Sequence, residues 1–136
     1  MKPVWVLDTN VLVSAALTAG GTCDHVLRAA IDGRVTLAWS APMLAEYREG
    51  LLRPKFKLSP SAVSALLAAF DPAHQVPVGV APALPDTDDE TFLAAALTTT
   101  DQILVTGNTA HFPAEICRPA KVLTPLAALK TISIGA

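Results

Sequence analysis

Asp8 stands at the end of an apolar run, Pro3-Val4-Trp5-Val6-Leu7, and is followed at once by Thr9-Asn10 and then Val11-Leu12-Val13. The run is β-branched and aromatic, which predicts a buried parallel strand with Asp8 at its carboxyl end. Ligands of open α/β sheets bind along that edge. A carboxylate there is a candidate metal ligand or acid–base group, provided that other polar groups join it.

The second acidic concentration is Asp86-Thr87-Asp88-Asp89-Glu90. Thr87 and Glu90 have capping-box spacing, which predicts a helix over 88–99 with Thr87 as N-cap and Glu90 at N3. Acids in a first turn favour the helix dipole whatever else they do. At about 100° per residue, Phe92, Leu93, Ala95, Ala96 and Leu97 centre near the direction of Asp89, whereas Asp88 points about a quarter turn away. A carboxylate aimed along a core-facing stripe is costly unless it is paired or metal-bound, so Asp89 ranks above Asp88 and Asp86.

Glu46 is ambiguous by spacing. Leu44, Tyr47 and Leu51 mark the buried stripe of its helix, and Glu46 groups with Glu49 and Arg53 on the solvated side. Asn108, in Thr106-Gly107-Asn108, reads equally as turn chemistry and as a site residue, although it falls on the same edge as Asp8 if both strands are parallel. Oxygen donors gathered without a Cys/His set suit Mg²⁺ or Mn²⁺. Such an ion can activate water and hold a phosphate, and it offsets the mutual repulsion of the acids.

The elements that must position these residues alternate along the chain. Strands are expected at Val4–Leu7, 35–39, Ile103–Val105 and Lys121–Leu123. Helices are expected at 11–17, at 23–31 ended by Gly33, from Ala41 to about Leu52, from Ser59-Pro60 through the stripe Val63, Leu66, Leu67 and Phe70, and from Thr124-Pro125 to about Leu129. The Pro-rich segment 71–85 offers only 76–80 as a short strand. This pattern predicts one α/β domain over 1–136, a three-layer sandwich with a mainly parallel sheet and helices on both faces.

At 136 residues and 51% hydrophobic, the chain can bury a real core and is not disordered. No apolar run approaches the roughly 18–20 residues of a membrane span, and the N-terminus lacks signal-peptide character, so a cytoplasmic location is expected. Cys23 and Cys117 lie far apart and are expected to be free. The scatter of His25, His74 and His111 argues against a zinc site. The net charge of −2 does not announce a nucleic-acid binder.

Taken in order, these segments resemble the PIN-domain nucleases over residues 4 to 130. Val6-Leu7-Asp8-Thr9-Asn10-Val11-Leu12 is similar to the family's opening strand and first acid. Ser40-Ala41-Pro42-Met43-Leu44-Ala45-Glu46-Tyr47 resembles its second motif, an acid six residues after a strand-ending serine, which restores Glu46 as a candidate. Asp86-Thr87-Asp88-Asp89-Glu90-Thr91-Phe92-Leu93 with Ala96-Leu97 resembles the third, whose acid corresponds to Asp89. Leu104-Val105-Thr106-Gly107-Asn108 with His111-Phe112-Pro113 resembles the fourth, where many members carry Asp at the position of Asn108. An uncharged amide there leaves the strength or number of a second metal open. Leu51-Leu52-Arg53-Pro54-Lys55-Phe56 and Val122-Leu123-Thr124-Pro125 resemble the subgroup described as toxin components of bacterial toxin–antitoxin pairs.

The resemblance implies a metal-dependent endoribonuclease that cuts single-stranded RNA with metal-activated water. Asp8, Glu46 and Asp89 would hold Mg²⁺ or Mn²⁺ with help from Asn108, and Thr9, Asn10 and Thr106 would orient them. Arg48, Arg53 and Lys55 are the nearest basic residues for RNA phosphates. An antitoxin protein and a homodimer are the implied partners. A receiver-type phosphoacceptor would need a second acid beside Asp8 and a Lys at a late strand end, and the chain has neither. A catalytically weak PIN-like module that binds RNA or a protein remains the alternative reading.

Overall fold

The apolar runs that end beside the acids form a single parallel ladder. In the computed structural model, which describes residues 2–133, β1 spans Val4–Leu7, β2 Thr36–Leu37, β3 Ile103–Val105 and β4 Lys121–Leu123. The sheet order is β2-β1-β3-β4 and every pairing is parallel. Trp5, Val6, Leu7, Leu104 and Val105 are fully buried, as strands covered on both faces require. The helices are α1 (Thr9–Leu17), α2 (Thr22–Ile31), α3 (Ala41–Leu51), α4 (Pro60–Leu67), α5 (Glu90–Thr98), α6 (Ala114–Cys117) and α7 (Pro125–Ser133). They flank the sheet on both faces, giving the expected three-layer α/β sandwich.

From β1 the chain passes through α1 and α2 to β2 on one side, and later enters β3 on the other side of β1. The carboxyl ends of β1 and β3 therefore flank a topological switch point, the place where open parallel sheets leave a crevice. The Asp8 N–H donates to the Val105 carbonyl at 2.9 Å, so the ladder runs right up to the acid. At the other end of β1, the Val4 N–H donates to Asp101 Oδ2 at 2.7 Å.

Two contacts fix α3 against β1 and α1. The Tyr47 hydroxyl, fully buried, donates to the Leu7 carbonyl at 2.5 Å. The Tyr47 ring packs on Phe70 and Phe92, with centroids 5.0 and 5.8 Å away. At Gly50 a Cβ would meet Thr9 Cγ2 at 2.8 Å, so glycine lets α3 approach the first turn of α1.

Several expectations need correction. The 35–39 strand shortens to Thr36–Leu37, and Trp39 makes only an isolated parallel bridge to Gln75. Residues 76–80 form no strand: Pro77 lacks a ladder donor, and Val78 and Val80 face solvent. Gly79 instead lies on α5, where a Cβ would be 3.0 Å from the Ala94 carbonyl oxygen. Helix α4 stops at Leu67, yet Phe70 beyond its end is buried as the stripe requires. Helix α6 is an unforeseen short turn, and α7 extends past Leu129 to Ser133. The capping box at Thr87 does not form. Asp86 caps a 3₁₀ turn over Thr87–Asp89 by accepting from the Asp88 N–H at 3.0 Å, and Glu90 turns back to accept from the Leu84 N–H at 3.1 Å. An aspartate one step upstream closes the tighter turn first, so the α-helix begins only at Glu90.

Candidate active site

Asp8 does two jobs at the mouth of the crevice. It is the N-cap of α1, with Oδ1 accepting from the Thr9 N–H at 2.8 Å. Its Oδ2 accepts from Thr106 Oγ1 at 2.8 Å, and that hydroxyl accepts in turn from the Asn108 N–H at 3.0 Å. The residue is only 6% exposed. Burial pushes its carboxyl pKa up, and the hydrogen bonds from Thr106 and Thr9 partly oppose that. Each carboxylate oxygen has a second lone pair, so both keep acceptor capacity for a cation.

Around Asp8 lies a cleft of about 280 Å³ whose lining includes Glu46, Asp86, Asp88, Asp89, Asn108 and His111. Two 3₁₀ turns build one side of it. In such turns side chains three residues apart eclipse one another. Thr87–Asp89 with its cap Asp86 thus presents Asp86 and Asp89 together, and Thr109–His111 with its cap Asn108 presents Asn108 and His111 together. The two pairs meet: His111 Nδ1 is 3.2 Å from Asp89 Oδ2, and Asn108 Nδ2 is 3.3–3.4 Å from the two ring nitrogens of His111. One donor atom from each of Asp86, Asp89 and His111 lies within 4.8 Å of the others.

Crowding shows in the acidities. The Asp89 side chain is 14% exposed. Its pKa rises to about 6, chiefly through burial and then through the charges of Asp8 and Asp86, while His111 opposes the rise. Glu46 is also raised, first by partial burial and then by Asp88 and Glu49.

An unfolded Asp titrates near ~3.9, so between about pH 4 and 6 the folded metal-free protein holds the Asp89 proton more tightly than the unfolded chain. The stabilising contribution is therefore full at the acid end and lost as pH rises through about 6. In EDTA, the melting temperature of the wild type is expected to fall relative to Asp89→Asn over this window, and saturating Mn²⁺ at pH 7 should reverse the difference. Parallel curves for the two proteins would show that Asp89 does not titrate there.

The sequence-predicted residues separate cleanly in space. Asp8, Glu46, Asp89, Asn108, Thr9 and Asn10 line the cleft. Thr106 is buried behind Asp8. Asn10 Oδ1 accepts from the Gly107 N–H at 3.4 Å, tying the two strand-end loops together. Glu46 is half-buried in the cleft, not on a solvated face as its spacing suggested. Arg53 reaches the lining, but Arg48 and Lys55 do not.

Sequence reasoning underrated Asp86 and missed His111. The scatter of the histidines is misleading for His111, which the fold sets beside two aspartates. The signal available was the three-residue spacing Asp86/Asp89 and Asn108/His111, which brings two side chains to one face of a 3₁₀ turn as it does in an α-helix. Both cysteines are free, Cys117 buried and Cys23 half-buried.

A divalent cation fits this donor set. The carboxylate oxygens suit Mg²⁺ or Mn²⁺, and the upward shifts of Asp8, Glu46 and Asp89 are the cost a cation would relieve. Thr9 Oγ1, on a cleft-lining residue, is buried with no hydrogen-bond partner. Among the described residues, no helix is long and apolar enough to cross a membrane. The sequence pattern of one family, described as PIN domain, matches residues 4–110. No curated protein and no solved structure matches the chain significantly.

Proposed function

The chain belongs to the PIN-domain family, whose members are generally metal-dependent nucleases, and from that premise we propose that it is an endoribonuclease acting on single-stranded RNA. The observation that carries the reading is the convergence of Asp8, Glu46, Asp86 and Asp89 on one cleft at the switch point of the sheet. Asp8, Glu46 and Asp89 are assigned as carboxylate ligands, with Asn108 as a neutral contributor. When bound, Mg²⁺ or Mn²⁺ supplies water activation and charge neutralisation at the scissile phosphate. Thr106 and the Thr9 N–H hold the Asp8 carboxylate in one orientation, and Asn10 steadies the β3 loop. Arg53 offers a cation to a neighbouring phosphate.

The resemblance of 51–56 and 122–125 to toxin components supports a role as the toxin of a toxin–antitoxin pair, held by an antitoxin and dimeric, in the cytoplasm. The catalytically weak binding module remains the second reading because Asn108 stands where a fourth carboxylate is common.

The test is cleavage of a structured RNA with single-stranded loops. Loop cuts in Mn²⁺ or Mg²⁺ that disappear in EDTA and in Asp89→Asn are expected, with the rate in the variant down by at least about 100-fold. Retained Mn²⁺ binding by a wild type that never cuts would favour the binding module.

A further inference from the structure

Three residues after Gly50 begins the segment Arg53-Pro54-Lys55-Phe56, which brings an aromatic ring to the same cleft. Its conformation is tightly specified. Pro54 opens a 3₁₀ turn over Pro54–Phe56, the Phe56 N–H donates to the Arg53 carbonyl at 3.0 Å, and the Lys57 N–H donates to the Pro54 carbonyl at 3.1 Å. Lys57 then reverses the chain at φ 55°. Arg53 is the cap of this turn and Phe56 its third residue, the spacing that aligns Asp86 with Asp89 and Asn108 with His111. Arg53 and Phe56 both line the cleft, together with Val13 of α1.

Two aromatic rings line a cleft that holds five carboxylates, Asp8, Glu46, Asp86, Asp88 and Asp89: Phe92 belongs to the core, and the other is Phe56. Phe56 is half-buried rather than committed to the core. The ammonium group of Lys55 lies 5.1 Å from its ring centroid, so a second cation stands at the ring although it does not line the cleft. An aromatic ring that takes a cation over one face and shares the cleft lining with Arg53 is complementary to one chemical unit, a nucleotide: the ring takes the uncharged base face and the cation takes the phosphate.

We propose that Arg53 and Phe56 form a nucleotide subsite in which an unpaired RNA base stacks on the Phe56 ring while the adjoining phosphate meets the Arg53 guanidinium. The proposal rests on the nuclease reading and specifies how that cleft selects its substrate. A stacked base must be out of a helix, so the subsite accounts for a preference for single strands by a contact that every base can make.

The experiment pairs protein and RNA deletions. A fluorescent single-stranded oligoribonucleotide is titrated by anisotropy in Ca²⁺, and kcat/KM is measured in Mn²⁺, for wild type, Phe56→Ala, Phe56→Leu and Phe56→Tyr. The same RNA with single abasic positions is run against each. Phe56→Ala is expected to weaken binding by about 5- to 100-fold, and Phe56→Tyr to stay within about 3-fold of the wild type. Removing one particular base should weaken the wild type equally and leave Phe56→Ala unaffected. The Mn²⁺-induced rise in melting temperature should persist in all variants, which shows that they are folded with an intact centre.

Full recovery in Phe56→Leu would mean that the position needs bulk and not a ring, which overturns the proposal. So would wild-type behaviour of Phe56→Ala with an RNA that the wild type cuts, and this leaves the nuclease reading standing. A wild type that neither binds nor cuts RNA would remove both.

Discussion

Asp8→Asn is expected to lower metal-dependent cleavage by more than about 100-fold, beyond the loss usual for residues that only orient a ligand, while leaving the fold intact or slightly more stable. The two effects part because Asp8 has two roles. Asparagine caps helices about as well as aspartate, so the first turn of α1 should survive. Thr106 Oγ1 already accepts from the Asn108 N–H and has a second lone pair, so it can accept from an amide where it now donates to a carboxylate. Without metal, the substitution also removes a charge whose burial is unfavourable. Cleavage rates and melting curves with and without Mn²⁺ check both halves. Undiminished cleavage, or an unchanged Mn²⁺-induced shift in melting temperature, would remove Asp8 from the centre.

Tyr47→Ala should be among the most damaging single truncations outside the cleft, at about 3–5 kcal/mol, the usual loss for a large buried aromatic. The ring fills the space among α3, Phe70 and Phe92 and is completely buried. Tyr47→Phe isolates the hydroxyl, which gives the Leu7 carbonyl its donor, and should cost about 1–2 kcal/mol. The hydrogen-bonded pair, Tyr47 and Leu7, consists of the sequence neighbours of Glu46 and Asp8. Tyr47→Phe should therefore also weaken Mn²⁺ binding, although the residue does not line the cleft. Urea unfolding and calorimetric titration measure the two effects. A cost under about 0.5 kcal/mol for Tyr47→Phe would mean that the hydrogen bond contributes little net stability.

What the sequence made legible depended on which periodicity each element obeyed. The strands beside the site were legible because Val4–Leu7 and Ile103–Val105 are uninterrupted apolar runs that end in polar residues, the pattern of doubly covered parallel strands. Asp89 was legible through the helical phase of the five apolar residues that follow it. Glu46 was not, since amphipathic phase separates buried from exposed and says nothing of a concave surface shared with another element. The cleft wall it faces comes from residues forty positions away. Asp86 and His111 obey a three-residue repeat in turns too short to leave a hydrophobic signature, so only their neighbours in space reveal them. The 76–80 segment shows the opposite error: its valines alternate like a strand, but a proline in the ladder position and a glycine pressed on α5 make it a strap.

Three short turns rim the cleft, and each holds its two facing residues by count. At three residues per turn, one inserted or deleted residue would swing the second side chain of a pair by about 120° and out of register with the first. Replacing either member at constant length leaves the other where it is. Such a rim can exchange its chemistry piecemeal, carboxylate for amide or imidazole for aromatic, while its length is inherited unchanged. In evolutionary terms the cleft can diverge by substitution and is closed to insertion.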